Sequence, residues 1–310
     1  MVLPLKYYSN AKLLITAEYL VLKGAKALAL PLNLGQDLCV QETDSGYIEW
    51  ISTVKGEAWF DAKILFSSLI LIETNKPDKA KKLIEILRFA KSLNPSFLNQ
   101  SKGLKVKANI EFDLDWGLGS SSTLVSNIAW WAACNPYQLN KMAFHGSGYD
   151  IACARSNSPL FYQLIDKKPN IERIEFNPPF FNQLTLVWLN QKQNSREEIG
   201  RFDQSENYFS EISEINKITS EMAPCDNLTR FMKLMELHEN IISSVVGVTK
   251  VKQALFAEFN GAIKSLGAWG GDFILVASEK SFEYVQNYFN QKGFHTVVKF
   301  DSLWRIANSL

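Results

Sequence analysis

Residues 115–123 read DWGLGSSST and carry the strongest chemical signal in this 310-residue chain. Gly117 and Gly119 follow an alternating strand pattern and precede an apolar helical stretch. Glycine lets a backbone turn sharply and come close to a ligand. A helix N-terminus presents unpaired N–H groups and the positive end of the helix dipole, which suits an anion such as phosphate. Ser120, Ser121 and Ser122 add hydroxyls for anionic oxygens or a metal ion. The segment matches neither G-x-x-x-x-G-K-[ST] nor G-x-G-x-x-G, so those two phosphate-binding folds are not indicated. A plain strand–helix connection with a serine N-cap would use the same residues.

Three more segments hold reactive or permissive residues. In HGSGYDIACA, residues 145–154, Asp150 follows a Gly-Ser-Gly turn at a helix start. A carboxylate held there can take a proton from a hydroxyl, or simply cap the helix. His145 reads as a structural histidine. From Ser265 the chain runs SLGAWGGDF, with Gly267, Gly270 and Gly271 ahead of an apolar strand. These glycines suit close backbone approach to a ligand, or a plain turn. Lys12 interrupts the apolar run NAKLLITAEYLVLKG, where a charge needs a partner, a role or a solvent-facing position.

The surrounding pattern indicates which elements position these groups. Short apolar runs at 11–16, 25–30, 37–42, 47–52 and 57–61, broken by turns, predict strands with antiparallel pairing. Residues 78–93 predict an amphipathic helix with Ala80, Leu83, Ile84, Leu87 and Ala90 on one face. A strand over 104–112 leads into the glycine segment, and a helix over 121–133 follows it. The second half predicts strands at 183–189, 273–277 and 294–300. Helices are expected there at 195–203, 208–221, 227–246, 251–263 and 281–291. Prolines and charges gather at 166–179, which marks a boundary between a domain over 1–168 and one over 169–310. Interleaved strands and helices of this kind predict an α+β fold with mostly antiparallel sheet.

Composition narrows the function. Apolar residues make up 46% and charged residues 21%, enough for a sizeable core. With 33 Lys+Arg against 32 Asp+Glu, a broad basic surface for nucleic acid is not expected. No apolar run reaches the ~20 residues of a membrane span. Nor does the N-terminal stretch resemble a signal peptide. Cys39, Cys134, Cys153 and Cys225 form no CxxC pair, so they are expected to be reduced thiols in a cytoplasmic protein.

Taken in order, the four segments resemble the GHMP kinase superfamily, and the resemblance runs from Lys12 to Gly271. The family motif P-G-K-x-x-x-x-G-E-Y/H is similar to residues 10–19, NAKLLITAEY. G-L-G-S-S stands intact at residues 117–121, and G-A-G-G-G is similar to residues 267–271, GAWGG. GYDIA at 148–152 resembles a bacterial subgroup. Within the family, Glu18-Tyr19, the GSGYDIA segment and Asp272 lean toward phosphomevalonate kinase, with mevalonate kinase close behind.

The resemblance implies an N-terminal half like ribosomal protein S5 domain 2 and a ferredoxin-like C-terminal half, with ATP and the acceptor between them. It implies ATP-dependent phosphorylation of a small hydroxy-acid or phospho-acid of the mevalonate route. Asp150 would be the base or anchor for the acceptor hydroxyl, and Lys12 would hold it ionised and stabilise the developing oxyanion. Gly117, Leu118, Gly119, Ser120, Ser121 and Ser122 would cradle the ATP phosphates, with Ser121 reaching Mg²⁺. Glu18, Tyr19, Gly148, Lys192, Ser195, Arg196, Gly267, Gly270 and Gly271 would lie on the substrate side. The protein would work as a monomer or homodimer without nucleic acid or membrane. Departures are Ala11, Ala17 and Trp269 at family glycines, and Lys141 where mevalonate kinase has a Mg-binding Glu. They keep open a nucleotide-binding member with attenuated catalysis. A diphosphomevalonate decarboxylase is the other alternative, and Lys12 counts against it.

Overall fold

A computed structural model describes residues 3–99, 102–191, 202, 206–267, 269 and 272–303. The chain divides into two compact units. The first holds Met1–Ala11, Leu34–Leu114 and Leu118–Arg155, and the second holds Lys12–Asn33, Asp115–Gly117 and Ser156–Leu310. Both are mixed α+β.

The first unit is built on strands β1 (Leu5–Leu14, in part), β2 (Ala27–Thr43, in part), β3 (Tyr47–Val54), β4 (Glu57–Leu65), β5 (Ile70–Thr74) and β6 (Gly103–Ile110). Their order is β5-β4-β3-β6-β2, antiparallel except for the parallel pair β3–β6. Helices α1 (Pro77–Leu93), α2 (Ser120–Trp131), α3 (Pro136–Phe144) and α4 (Tyr149–Ala154) pack with this sheet and with one another. Strand alternation turns Ile48 and Trp50 inward, while α1 buries Ala80, Leu83, Ile84, Leu87 and Ala90, the stripe its sequence predicts. Pro77 suits the first helical position because its missing N–H has no partner there in any helix.

In the second unit the start of β2 pairs with β7 (Leu160–Ile165), which forms a hairpin with β8 (Lys168–Arg173). A separate antiparallel sheet runs β10 (Ala262–Ser265), β11 (Phe273–Ala277), β9 (Leu184–Trp188), β12 (Val297–Lys299). Every residue of β10 and β11 is buried. Helices α5 (Phe209–Met222) and α6 (Leu228–Val246) pack together, and α6 lies on β10. Shorter helices are α7 (Val251–Leu255), α8 (Phe282–Gln291) and α9 (Phe300–Leu303).

Several elements differ from the sequence expectation. The runs at 25–30 and 37–42 belong to one continuous strand, β2. Gly35 is no break: a Cβ there would lie 2.6 Å from the Tyr8 hydroxyl, so glycine admits the neighbouring β1 backbone. Strand β8 falls within 166–179. Its residues are all exposed, so no alternation betrays it, and Asp166 and Lys167 make the turn at φ 50° and 61°. The expected helix over 251–263 stops at Leu255, and β10 begins at Ala262. The expected helix at 195–203 lies, apart from Phe202, outside the described residues. Among the described residues no helix is long and apolar enough to cross a membrane, and the four cysteines are free thiols.

Candidate active site

The glycine segment enters α2 as its pattern suggests. Gly117 sits at φ 66° and Gly119, the N-cap, at φ 94°, both left-handed. Among the described residues no side chain caps the helix. The third and fourth hydroxyls of the run turn inward. Ser122 Oγ donates to the Gly119 carbonyl at 2.8 Å, and Thr123 Oγ1 donates to Gln36 Oε1 at 2.7 Å. Deeper in the helix Ser9 Oγ bridges Ser126 and Asn127, so a polar seam anchors α2 on β1 and β2. The Ser120 carbonyl accepts from Thr123 Oγ1 at 3.0 Å, while the hydroxyls of Ser120 and Ser121 bond to no group among the described residues, and Ser121 is exposed. An uncapped helix N-terminus flanked by two available hydroxyls fits the phosphates of a nucleotide and one hydroxyl ligand to their metal. Among the described residues no three His, Cys, Asp or Glu side chains converge as a protein-built metal site.

Helix α4 packs on α2 within the same unit. Gly148, at φ 94°, is its N-cap, and Asp150 stands in its first turn, half-buried, where the dipole favours a carboxylate. Asp150 Oδ1 accepts the Ile151 N–H at 3.0 Å. His145 ends α3 as a left-handed C-cap, the structural role read from sequence.

Within the second unit Lys12, Gly117, Gly267 and Asp272 come together. Lys12 Nζ donates to the Gly117 carbonyl at 2.8 Å, which gives the charge in the apolar run a partner. A Cβ at Gly117 would lie 2.5 Å from the Asp272 carboxyl carbon, and one at Gly267 would lie 3.3 Å from Asp272 Oδ2. Trp269 is buried at 2% exposure. Its backbone N–H donates to the Tyr19 hydroxyl at 3.1 Å, and its indole nitrogen has no hydrogen-bond partner among the described residues. Lys192, Ser195, Arg196, Gly270 and Gly271 lie outside the described residues.

Glu18 leads to residues that no motif had singled out. It is fully buried, and Lys264 Nζ, also fully buried, donates to Glu18 Oε1 at 2.5 Å and to the Ser265 carbonyl at 2.8 Å. Glu239 accepts from the Ser265 N–H at 3.1 Å and faces the Ser265 hydroxyl at 3.3 Å. His238 Nε2 accepts the Ala17 N–H at 2.9 Å, which puts the ring proton on Nδ1. Burial holds the His238 imidazole neutral, well below the ordinary histidine range, and nearby Lys264 adds to this. Burial raises the Glu18 carboxyl, opposed by Lys264. Burial also pushes Glu239 up to about 8, with Lys264 opposing and Glu18 reinforcing. One ammonium thus faces two carboxyls.

A signal for these residues existed. Positions 231, 234, 235, 238, 239 and 242 form the buried stripe of α6, so His238 and Glu239 occupy core positions by helical period. Lys264 breaks the apolar sequence of β10 just as Lys12 breaks that of β1.

No protein-family model matches this chain, and no curated protein matches it in sequence. Solved structures do, and they define a class: the chain has the fold of the GHMP small-molecule kinases. Mevalonate kinase of Methanococcus jannaschii matches at 16% identity and TM-score 0.68, over 94% of this chain and 96% of that one. Phosphomevalonate kinase of Streptococcus pneumoniae, in complex with phosphomevalonate and AMPPNP, matches at 14% identity and TM-score 0.71, over 94% and 97%. Galactokinase of Lactococcus lactis, complexed with galactose, matches at 11% identity and TM-score 0.59, over 94% and 89%.

Proposed function

We propose that the protein is an ATP-dependent kinase that phosphorylates a mevalonate-pathway acceptor, phosphomevalonate or mevalonate. One observation carries the reading. In a chain with the fold of those kinases, the sequence G-L-G-S-S at residues 117–121 turns into an uncapped helix N-terminus with an exposed Ser121 hydroxyl. On this reading residues 1–168 form the half like ribosomal protein S5 domain 2, and residues 169–310 the ferredoxin-like half.

Phosphoryl transfer asks a protein for positioning and charge stabilisation more than for covalent chemistry. ATP with Mg²⁺ supplies the phosphoryl group and neutralises part of its charge. The N–H groups of residues 117–122 hold the phosphates, and Ser121 offers its hydroxyl to the metal. Asp150 accepts the proton of the acceptor hydroxyl or anchors that hydroxyl. Lys12 stabilises the negative charge that develops on the attacking oxygen. Glu18, Tyr19, Gly148, Ser195, Gly267, Gly270 and Gly271 shape the substrate side, and Lys192 and Arg196 hold the acceptor's anionic group. The protein acts in the cytoplasm, as a monomer or homodimer.

A second reading is a nucleotide-binding protein with attenuated catalysis. It is favoured by Trp269, whose buried side chain stands where the family motif has glycine. An ADP-release assay over mevalonate, phosphomevalonate, homoserine and galactose separates the two. Release with one of the first two acceptors is expected. ATP binding without release on any acceptor overturns the kinase reading, and CO₂ from diphosphomevalonate would replace it with a decarboxylase.

A further inference from the structure

Three consecutive residues after β1 are each held by a different part of the second unit. The Ala17 N–H is bound by His238 of α6, the Glu18 carboxylate by Lys264 of β10, and the Tyr19 hydroxyl by the Trp269 N–H. Ala17 and Tyr19 both stand at positive φ, 69° and 62°, without being glycine. Tyr19, with ψ −51° and the Leu20 N–H bonded to the Glu18 carbonyl at 2.7 Å, is the centre of a γ-turn, a strained conformation. Strain of this kind persists only where the surroundings over-determine it.

A buried ion pair is a weak device for stability alone, since apolar residues of similar volume often serve as well. Its geometry is the informative part. Lys264 reaches Glu18 with one hydrogen bond and the Ser265 carbonyl with another, while Glu239 takes the Ser265 N–H. Both ends of Ser265 are therefore fixed just before Gly267 and Trp269. We propose that Lys264, which lies in no recognised motif, is a positioning residue: through Glu18 and Ser265 it locks the strained turn at residues 17–19 onto the turn at Gly267 and Trp269. The proposal rests on the kinase reading for its consequence, because both turns carry residues assigned there to the substrate side. Its structural content stands independently.

The test uses the full chain with Glu18→Gln/Lys264→Met, which removes both charges together and leaves no lone buried ion. Glu18→Gln alone, which keeps size and an acceptor, serves if the double variant does not fold. Amide hydrogen exchange by NMR is read at Ala17 and Trp269, with Leu13 and Leu275 as references. Exchange at Ala17 and Trp269 is expected to quicken at least 100-fold in the double variant and about tenfold in Glu18→Gln, with the references within threefold. Wild-type protection at both amides overturns the proposal. In the kinase assay kcat is expected to fall at least tenfold while the KM for ATP stays within threefold. Released turns with unchanged kcat overturn the positioning role. Should the wild-type chain phosphorylate no acceptor, the kinase reading falls and the exchange measurement still decides the tie.

Discussion

Asp272 packs its carboxylate against the α-carbon of Gly117, so closely that a Cβ there would lie 2.5 Å from the carboxyl carbon. The residue that closes the third glycine segment thus bears on the first residue of G-L-G-S-S. Gly117 also sits at φ 66°, so its glycine is demanded twice, by conformation and by space. Gly117→Ala is expected to cost about 2–5 kcal/mol, from ~1–2 for the left-handed backbone and ~1–3 for the overlap. A double-mutant cycle with Asp272→Ala, measured by denaturant unfolding, should return a coupling of about 1–3 kcal/mol. Additive losses would show that the contact is not what excludes a side chain.

Glu239 makes stability depend on pH. Its folded pKa of about 8 lies above its ordinary carboxylate value of 4.5, so the folded state holds a proton that the unfolded chain has lost. That contribution is complete below 4.5 and is lost as pH rises through about 8. His238 works in the opposite direction, costing stability as pH falls below its ordinary value of 6.5. From pH 6.5 to 8 His238 no longer opposes it, and the Glu239 effect is worth up to about 2 kcal/mol at ~1.4 kcal/mol per pH unit, with the raised Glu18 carboxyl acting in the same direction. Urea unfolding at the two pH values should show the decline, and Glu239→Gln should flatten it.

Asp150→Asn is the sharpest test of the proposed chemistry. The amide keeps shape and a hydrogen bond but cannot take a proton, so turnover should fall about 10²–10⁴-fold. The KM for ATP should change little, because Asp150 stands on α4 while the proposed phosphate cradle opens α2. Unchanged turnover on a confirmed acceptor would remove Asp150 from the mechanism.

Trp269 sets the cost of restoring the family's glycine. Its buried ring supports packing, so Trp269→Gly should cost at least the ~3–5 kcal/mol of a large-to-small core change. Its indole N–H, by contrast, is buried without a partner among the described residues, an arrangement that carries a desolvation penalty. Trp269→Phe removes that donor at some loss of volume and should stay within about 1 kcal/mol of wild type. Thermal unfolding of both variants checks the pair. Loss of folding in Trp269→Phe would show that the indole nitrogen has a partner in the folded protein.

Local chemistry was legible in the sequence wherever it depends on neighbouring residues. Gly117, Gly119 and Gly148 take the left-handed backbone that their turns need, and α1 buries the stripe that its period dictates. Strand β8 was not legible, because an exposed hairpin strand needs no apolar alternation. The end of α7 and the start of β10 were missed because a short apolar run suits helix or strand until its partners are known.

By itself the sequence determined the α+β class, the serine-bearing helix start and the order of the four chemical segments. These follow from periodicity, turn chemistry and charge, which act over a few residues. Only tertiary structure decided that Lys12 donates to Gly117, that Asp272 closes on Gly117, and that Glu18 finds Lys264 from 246 residues away in sequence. A buried charge announces that it needs a partner but not which one, because the partner is selected by how distant elements pack.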